Sequence, residues 1–207
     1  MSEYTSNAEA NVSAAKGVIG GYCYRAPVGT TLPDSPSWTP TSSWDCMGYI
    51  TEDGETFATT SDVTEFRDRN GDVMDTSQSS YGETFACAFA ETKQHTFESI
   101  YGASSVTDSN GTLRVNHTGA EPEAYSYAFL FLLKNGRKWV RFAEKCKRTS
   151  IADLTTNSSN VLAWNATYQV IRSTTTGGYF VDLFESTETG QSGESGESGQ
   201  SGESGQS

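Results

Sequence analysis

Residues 124–147, AYSYAFLFLLKNGRKWVRFAEKCK, decide the fold class because they have the pattern of one β-hairpin. Large apolar side chains alternate along residues 125–133 up to Asn135-Gly136, as in a β-strand. An Asn-Gly pair supplies the two positive φ angles of a two-residue type I′ turn, and residues 139–147 then form the returning strand. The alternating side chains are Tyr125, Tyr127, Phe129, Phe131 and Leu133.

The same strand and turn signals recur earlier in the chain. Asn70-Gly71 and Asn110-Gly111 predict two further hairpins. Phe85, Cys87 and Phe89 alternate with alanines, which indicates a strand with one bulky face. Most of the chain between residues 16 and 186 is therefore expected to form short antiparallel strands.

Two other stretches mark the limits of predicted elements. The acidic stretch Glu52-Asp53-Gly54 predicts a turn that closes a short strand over residues 47–51. One helix is expected over Lys93–Tyr101, because apolar residues recur there at helical spacing. Thr92 is the predicted N-cap of this helix, and Gly102 is its predicted end.

Composition supports a β protein with polar ends. Aromatic residues make up 12% of the 207 residues, a fraction that disordered chains avoid. From Gly190 the chain repeats Gly-Gln-Ser and Gly-Glu-Ser triplets, which are typical of flexible linkers. We predict a mainly β fold, an antiparallel β-sandwich or barrel-like domain with one short flanking α-helix and a flexible C-terminal tail. The expected division is an N-terminal arm at 1–15, the β domain at 16–186 and a low-complexity Gly/Ser/Glu/Gln tail at 187–207.

The formal net charge of −12 is unevenly distributed. Residues 32–123 contain 16 acidic and four basic residues, whereas residues 124–184 contain three acidic and eight basic ones. An acidic and a basic surface on one chain favour self-association over uniform repulsion. The alternative is ordinary solvated charge, and the sequence alone leaves both possibilities open.

Catalytic and metal-binding patterns are missing from the sequence. There is no G-x-S-x-G, P-loop or G-x-G-x-x-G motif, and His95 and His117 have no ligand-like spacing. Asp68-x-Asn70-x-Asp72 resembles the start of a calcium loop, but Val73 and Ser79 replace the required Gly and Glu. We expect no enzyme activity, no metal and no cofactor. The four cysteines are expected to be free thiols of a protein made in a reducing cytosol: Cys23, Cys46, Cys87 and Cys146.

Membrane insertion and tight binding to nucleic acid are also poorly supported. No apolar run approaches the roughly 20 residues of a membrane helix, and the N-terminus lacks the features of a secretory signal. Proteins that bind duplex DNA neutralise phosphates with Lys and Arg, whereas this chain has a pI near 4.5. The seven basic residues between positions 134 and 148 suit a subunit contact as well as a phosphate contact.

Several stretches resemble, in the same order, the major tail tube proteins of long-tailed siphophages. Residues 16–33, KGVIGGYCYRAPVGTTLP, are similar to the family's strand that ends in Y-R-A-P-x-G-T-x-L-P and leads into a long loop. Residues 46–54, CMGYITEDG, resemble its L-G-Y-[IV]-[ST]-E-D-G element. Glu83-Thr84-Phe85 and residues 92–102 resemble its strand-then-helix segment, and Gly136-Arg137-Lys138 is similar to its G-R-K turn. Trp38, Trp44 and Cys46 depart from the family pattern.

This resemblance implies a virion structural protein without enzymatic activity. Subunits of that family assemble into rings, typically hexamers, which stack into a hollow tube around a tape-measure protein. The implied partners are further copies of the chain, the tape-measure protein, and the tail-terminator and distal-tail proteins. DNA would pass through without specific binding. The implied location is the virion tail, after synthesis in the host cytoplasm.

A conduit for DNA must not retain it, which favours an acidic or at least non-basic bore. We expect acidic residues around the predicted Asn70-Gly71 hairpin to contribute to the lumen. The alternative is that this hairpin points outward. The lumen candidates are Asp62, Glu65, Asp68, Asp72 and Asp75.

The Pro-rich segment between residues 28 and 46 is the second candidate site. It is longer than a simple connection requires, and its two tryptophans are large apolar side chains that need cover. We expect it to fold against a neighbouring subunit or ring. The alternative is that both tryptophans cover the core of their own subunit. The candidate contact residues are Leu32, Pro33, Trp38 and Trp44.

A different virion module is the alternative function. Aromatic-rich β-sandwiches also serve as host-attachment or carbohydrate-binding domains, in which exposed Trp and Tyr side chains stack on sugars. In that case the protein would stay monomeric instead of forming rings.

Overall fold

The computed structural model describes residue 9 and residues 12–186, and this part of the chain is mainly β with one α-helix. The predicted tail at 187–207 lies outside the described residues, as does most of the predicted arm at 1–15. The strands of the described part are β1 Lys16–Gly17, β2 Cys23–Pro27, β3 Asp45–Cys46, β4 Ile50–Arg67, β5 Val73–Phe89, β6 Val106–Ser109, β7 Thr112–Val115, β8 Tyr125–Leu132, β9 Lys138–Ile151, β10 Trp164–Val170 and β11 Phe180–Phe184. The helix, α1, is Gln94–Tyr101, and short 3-10 turns occupy Ala103–Ser105 and Lys134–Gly136.

Nine strands form one antiparallel sheet in the order β3-β2-β8-β9-β10-β5-β4, with β1 added to β8 and β11 added to β9. Strand β9 belongs to two layers. Its first half pairs with β8 and β11, and its second half pairs with β10. The end strands β3 and β4 do not pair with each other, so the sheet is not a closed barrel. The predicted mainly β, antiparallel fold with one helix is confirmed.

Aromatic side chains fill the main core between these two layers. The alternation predicted for β5 is confirmed, because Phe85, Cys87 and Phe89 are all buried. Phe85 stacks on Tyr168 of β10 with ring centroids 4.7 Å apart and packs edge-on against Tyr127 of β8 at 5.0 Å. Rings of this size supply most of the apolar area that a chain poor in Leu and Ile can bury.

A buried hydroxyl group fastens helix α1 to this core. The Ser99 hydroxyl is 2.6 Å from the Tyr127 hydroxyl and 2.5 Å from the Tyr168 hydroxyl. Burial raises the pKa of both tyrosines, so their hydroxyls stay protonated and available to donate. The three hydroxyls satisfy one another, which removes the cost of burying them.

The predicted helix is confirmed, but its predicted N-cap is wrong. Lys93, not Thr92, is the extended residue before the first turn, with φ −121° and ψ 153°, and no side chain caps that end. Gly102 has φ 90°, a conformation that glycine adopts without strain, and it ends the helix as expected.

All three Asn-Gly hairpins are present, but only the hairpin at Asn110-Gly111, where Ser109 pairs with Thr112, has a two-residue loop. Asn135 and Gly136 both have positive φ, 63° and 75°, as the sequence predicts. The loop has three residues instead of two, because the Leu133 N–H donates to the Arg137 carbonyl at 2.8 Å and Lys134 lies inside the turn. The added residue forms a short 3-10 turn before the left-handed pair.

The strand predicted to end at Glu52-Asp53-Gly54 continues instead to Arg67. Ile50 pairs with Phe89 and Glu55 with Cys87, so residues 51–54 form a bulge opposite a single residue of β5. Gly54, with φ 71°, allows this local turn. An acidic Gly-containing bulge and an acidic hairpin turn have the same composition, which is why the sequence suggested an end.

Candidate functional site

Strands β4 and β5 continue well beyond the rest of the sheet as a two-stranded ribbon. Strand β10 accompanies β5 only as far as the pair Val170–Glu83. Past that point β4 and β5 form eight further pairs with each other, from Thr60–Gly82 to Arg67–Val73. Every residue from 58 to 81 except Asp68 is exposed. At about 3.4 Å per residue, the ribbon extends for about 27 Å.

The five lumen candidates all lie on this ribbon, but they do not share one face. Asp62 pairs with Ser80, and its carboxylate accepts a hydrogen bond from the Ser80 hydroxyl at 2.6 Å. The register shifts by one residue just beyond this pair, so Asp75, opposite Phe66, lies on the same face as Asp62. Glu65 lies on the opposite face, by the alternation of side chains along β4.

The remaining two candidates belong to the turn. The Asp68 carboxylate accepts backbone N–H groups of Asn70 at 2.9 Å and Asp72 at 2.8 Å. Asp68 therefore holds the hairpin turn and has a structural role, while Asp72 is exposed at the tip. The predicted Asn70-Gly71 hairpin is present, and Gly71 has φ 95°. Its loop has three residues instead of two, because the Asp68 N–H donates to the Asp72 carbonyl at 2.8 Å.

The ribbon also exposes apolar side chains near its tip. Four large side chains there are about half exposed or more, although the surrounding residues are mostly polar. An isolated two-stranded ribbon is only marginally stable in water, and clustered exposed apolar groups mark contact surfaces. The ribbon therefore has the properties of an element that packs on another molecule. These side chains are Val63 (57% exposed), Phe66 (50%), Val73 (47%) and Met74 (67%).

Strand β4 has a free hydrogen-bonding edge. It is the last strand in the sheet order, and within the described residues only β5 pairs with it. A long unpaired edge presents a row of backbone N–H and C=O groups that another strand can use. This edge and the ribbon form one continuous candidate contact surface.

The second candidate segment packs on its own subunit in the isolated chain. Trp44 is only 5% exposed and meets Trp38 edge-on at 5.2 Å, and Trp38 meets Tyr24 of β2 at 6.5 Å. Leu32 packs against the same cluster, and Pro33 is buried. These contacts match the alternative in which the tryptophans cover their own core. Whether the outer side of this segment also contacts a neighbour stays a prediction.

A buried arginine, which sequence reasoning missed, fixes helix α1 and the end of β2 together. The Arg25 guanidinium is 3% exposed and donates to the carboxylates of Glu98 at 2.7 Å and Asp45 at 3.2 Å. It also donates to the His95 carbonyl at 3.0 Å and lies over the Tyr125 ring at 4.3 Å. Arg25 is the arginine of the Y-R-A-P stretch, so the motif has a structural function.

This cluster changes the ionisation of one carboxyl. Burial alone would raise the pKa of Glu98, but hydrogen bonds from Arg25 and Gln94 outweigh burial and hold that pKa below its usual value. Glu98 is therefore ionised at neutral pH and forms a true ion pair with Arg25. The pair positions the helix and has no feature of a catalytic site.

No group of three His, Cys, Asp or Glu side chains within residues 12–186 has the geometry of a metal site. The four cysteines are free thiols, and burial raises the pKa of Cys23 and Cys146. Within the same part of the chain, no helix has the length and apolar character needed to cross a membrane.

The comparison with protein families agrees with the resemblance found in the sequence. A family model described as phage tail tube protein matches residues 4–176. A solved structure titled "Cryo-EM structure of the anti-feeding prophage cap (AFP tube terminating cap)" is similar over 89% of this chain and 100% of that chain, with 9% identity and a TM-score of 0.42. Among curated proteins, none matches the chain.

Proposed function

The chain belongs to the phage tail tube protein family and is thus a structural protein of the virion tail, and from this premise we propose that its copies form stacked rings around a hollow bore. We further propose that the rings are hexamers, that a tape-measure protein occupies the bore during assembly, and that DNA later passes through it into the host. Tail-terminator and distal-tail proteins would close the two ends. Synthesis would take place in the host cytoplasm.

The observation that best supports self-assembly is the exposed ribbon with its free edge. Within the part of the chain that the structure describes, the eight pairs of the ribbon are joined to no other strand, and such an uncovered ribbon is costly for a monomer to display. In an assembly, each ribbon and each β4 edge would be covered by a neighbouring copy. Self-association then explains both features without any further partner.

Electron microscopy of the purified protein tests this proposal. We expect negative-stain images to show rings or tubes, because each copy presents the same unpaired edge and the same apolar ribbon tip. Analytical ultracentrifugation over a range of concentrations supplies the matching measurement in solution. A protein that stays monomeric at high concentration and instead binds host cells or glycans would support the attachment-module alternative.

We propose that the acidic residues of the ribbon contribute to the bore. The sequence candidates Asp62 and Asp75 share one ribbon face, so both could face the DNA together, whereas Glu65 could not if that face lines the bore. Asp72 at the tip would add to the same negative potential. Repulsion of phosphate would keep the DNA mobile and would weaken as salt increases.

Reversing this charge is expected to slow DNA release without preventing assembly. In virions with Asp62→Lys and Asp75→Lys together, the new ammonium groups would attract phosphates at every ring, so we expect a lower rate of release. The rate is measured by fluorescence of a DNA-binding dye after ejection is triggered. Asp62→Asn with Asp75→Asn is the control, because it removes the charge without adding a cation. An unchanged release rate in the lysine variant would place these residues outside the bore.

We also propose that the outer side of residues 28–44 lies at a subunit contact. Val28 is 42% exposed, and the half-buried Leu32 and Trp38 leave part of their apolar surface uncovered. In this proposal, the buried Trp44 supports the segment on the side of its own core, and Val28, Leu32 and Trp38 contact the other subunit.

A further inference from the structure

The three Asn-Gly turns differ in what holds the glycine nitrogen. In the ribbon turn, the Gly71 N–H donates to the Asp68 carbonyl at 3.1 Å, and in the β8–β9 turn, the Gly136 N–H donates to the Leu133 carbonyl at 3.2 Å. The Gly111 N–H, at the tip of the β6–β7 hairpin, donates to no acceptor in the described part of the chain. The nitrogen of Gly111 is therefore the least restrained of the three.

Loop length explains this difference. Ser109 pairs with Thr112, so Asn110 and Gly111 alone form the loop, and both have positive φ, 53° and 72°. Such a loop is closed by the pair that flanks it, which leaves the N–H of its second residue unused. In the two three-residue loops the glycine is the last loop residue, and its N–H closes an inner turn.

Hydrogen bonds elsewhere in the turns add to the contrast. The Asn70 side-chain amide donates to the Asp68 carboxylate at 3.3 Å, which restrains the asparagine as well as the glycine. In the β8–β9 turn, the Lys134 N–H donates to the Ser13 hydroxyl at 3.2 Å. All three Asn-Gly pairs are exposed, so access of water does not distinguish them.

The β6–β7 hairpin also has the smallest sheet around its turn. Its two strands form a separate sheet of four pairs, from Val106–Val115 to Ser109–Thr112. The other two turns join long strands of the nine-stranded sheet. Local opening costs least where few contacts must break, so the tip of the β6–β7 hairpin is expected to open without the rest of the fold.

We propose that Asn110 is the preferred site of spontaneous deamidation in the folded protein. The Gly111 nitrogen loses its proton to hydroxide and forms a bond to Cγ of Asn110. The bond from Cγ to Nδ2 then breaks, and ammonia leaves with a proton from water, which leaves a succinimide ring. Water opens either ring carbonyl and yields aspartate or isoaspartate. Glycine favours the attack because it has no side chain beside the reacting nitrogen.

The products would change this hairpin in two ways. Each conversion adds one negative charge to the chain. Isoaspartate also places an additional carbon in the main chain, so the two-residue loop no longer fits the pair Ser109–Thr112, and we expect the hairpin to fray from its tip. The change lies outside the nine-stranded sheet, and the inference does not depend on the proposed tube.

Peptide mapping by mass spectrometry tests the preference. The full chain is aged in a mildly alkaline buffer, with a parallel sample in concentrated urea. Trypsin places Asn70 and Asn110 in separate peptides, 70–93 and 94–114, and cleavage after glutamate places Asn135 in 124–144. In the folded protein, we expect Asn110 to convert roughly threefold to tenfold faster than the other two, the factor expected from one backbone hydrogen bond. In urea, we expect the three rates to become similar.

Two results of this experiment would overturn the inference. Conversion of Asn70 or Asn135 in the folded protein at the rate of Asn110 would show that the hydrogen bonds of their glycines do not protect them. A preference for Asn110 that persists unchanged in urea would mean that the neighbouring sequence causes it and the fold does not.

Loosening the ribbon turn tests the cause directly. Asp68→Ala removes the carboxylate that accepts the N–H groups of Asn70 and Asp72. We expect faster conversion of Asn70 in this variant and an unchanged rate at Asn110. Asp75→Ala is the matched control, because it removes a carboxylate of the same ribbon that accepts only the Thr76 N–H. An Asn70 rate that is the same in both variants would contradict the proposed protection.

Discussion

Replacing residues 62–80 with Asn-Gly is expected to yield a folded monomer that no longer forms rings or tubes. The cut keeps the pair Ser61–Tyr81, which an Asn-Gly turn can close, and it keeps the contact between Tyr81 and Tyr179 at the root of the ribbon. The deleted residues are exposed except for the half-buried Asp68, and they contribute no side chain to either core cluster, so the free energy of unfolding should change little. Urea unfolding measures the fold, and negative-stain microscopy measures assembly.

A graded version of this experiment separates the apolar contacts from the backbone edge. Phe66→Ser with Val73→Ser removes two exposed apolar side chains but leaves the ribbon in place, and we expect assembly to require a higher protein concentration. Thr64→Ser with Ser77→Ala changes a neighbouring pair of the same ribbon and is the matched control. Normal tubes from the truncated protein would show that the ribbon is not an assembly element.

The extent of the ribbon could not be predicted from the sequence, although its turn could. The Asn70-Gly71 pair is a local sequence signal for a turn, and Gly71 has the positive φ that favours glycine at such a turn. The strands that lead to the turn are rich in Ser, Thr and Asp, so they lack the hydrophobic alternation that marks a half-buried strand. They lack it because neither face is buried in the isolated chain. The absence of a buried face prevented prediction of the ribbon from the sequence, and it also makes the ribbon a candidate contact surface.

A bulge in β5 limited the prediction of which acidic residues share one face of the ribbon. Alternation along β5 predicts a face for each residue only while the register is regular. The extra residue near Ser79 reverses the alternation, and this reversal brings Asp75 to the face of Asp62. The four-residue bulge at 51–54 misled a different prediction, because its composition resembles the end of a strand. Neither bulge has a composition that separates it from an ordinary turn.

Non-local partners account for the rest of what the sequence did not reveal. Arg25 lies 20 positions from Asp45 and 73 from Glu98, so no spacing rule connects them. Trp44 illustrates the same limit, since its size predicts burial but not which surface buries it. The alternation of Phe85, Cys87 and Phe89 was predictable because it depends on one strand alone.

Substituting Arg25 with Met is expected to lower the free energy of unfolding by about 3–5 kcal/mol, because it leaves two carboxylates of a buried cluster without their cation. The guanidinium is 3% exposed, so water cannot replace it without opening the contact between α1 and β2. Urea unfolding at neutral pH measures the loss. Arg114→Met is the control, because Arg114 is exposed and its side chain donates only to the nearby Asn116, and it should change stability by no more than about 0.5 kcal/mol.

Acidification should change the contribution of Glu98 to the free energy of unfolding in opposite directions in the wild type and in Arg25→Met. In the wild type, the Glu98 pKa is lower in the folded state than its ordinary value of 4.5, so this pair stabilises the fold above that pH. The contribution disappears as the pH falls through the folded-state pKa and Glu98 gains a proton. In Arg25→Met, burial without a cation raises the pKa of Glu98, so acidification toward pH 4.5 should relieve the penalty and narrow the stability difference from wild type. A difference that stays constant from neutral pH to pH 4 would mean that Arg25 acts by packing alone and that its ion pair with Glu98 adds nothing to stability.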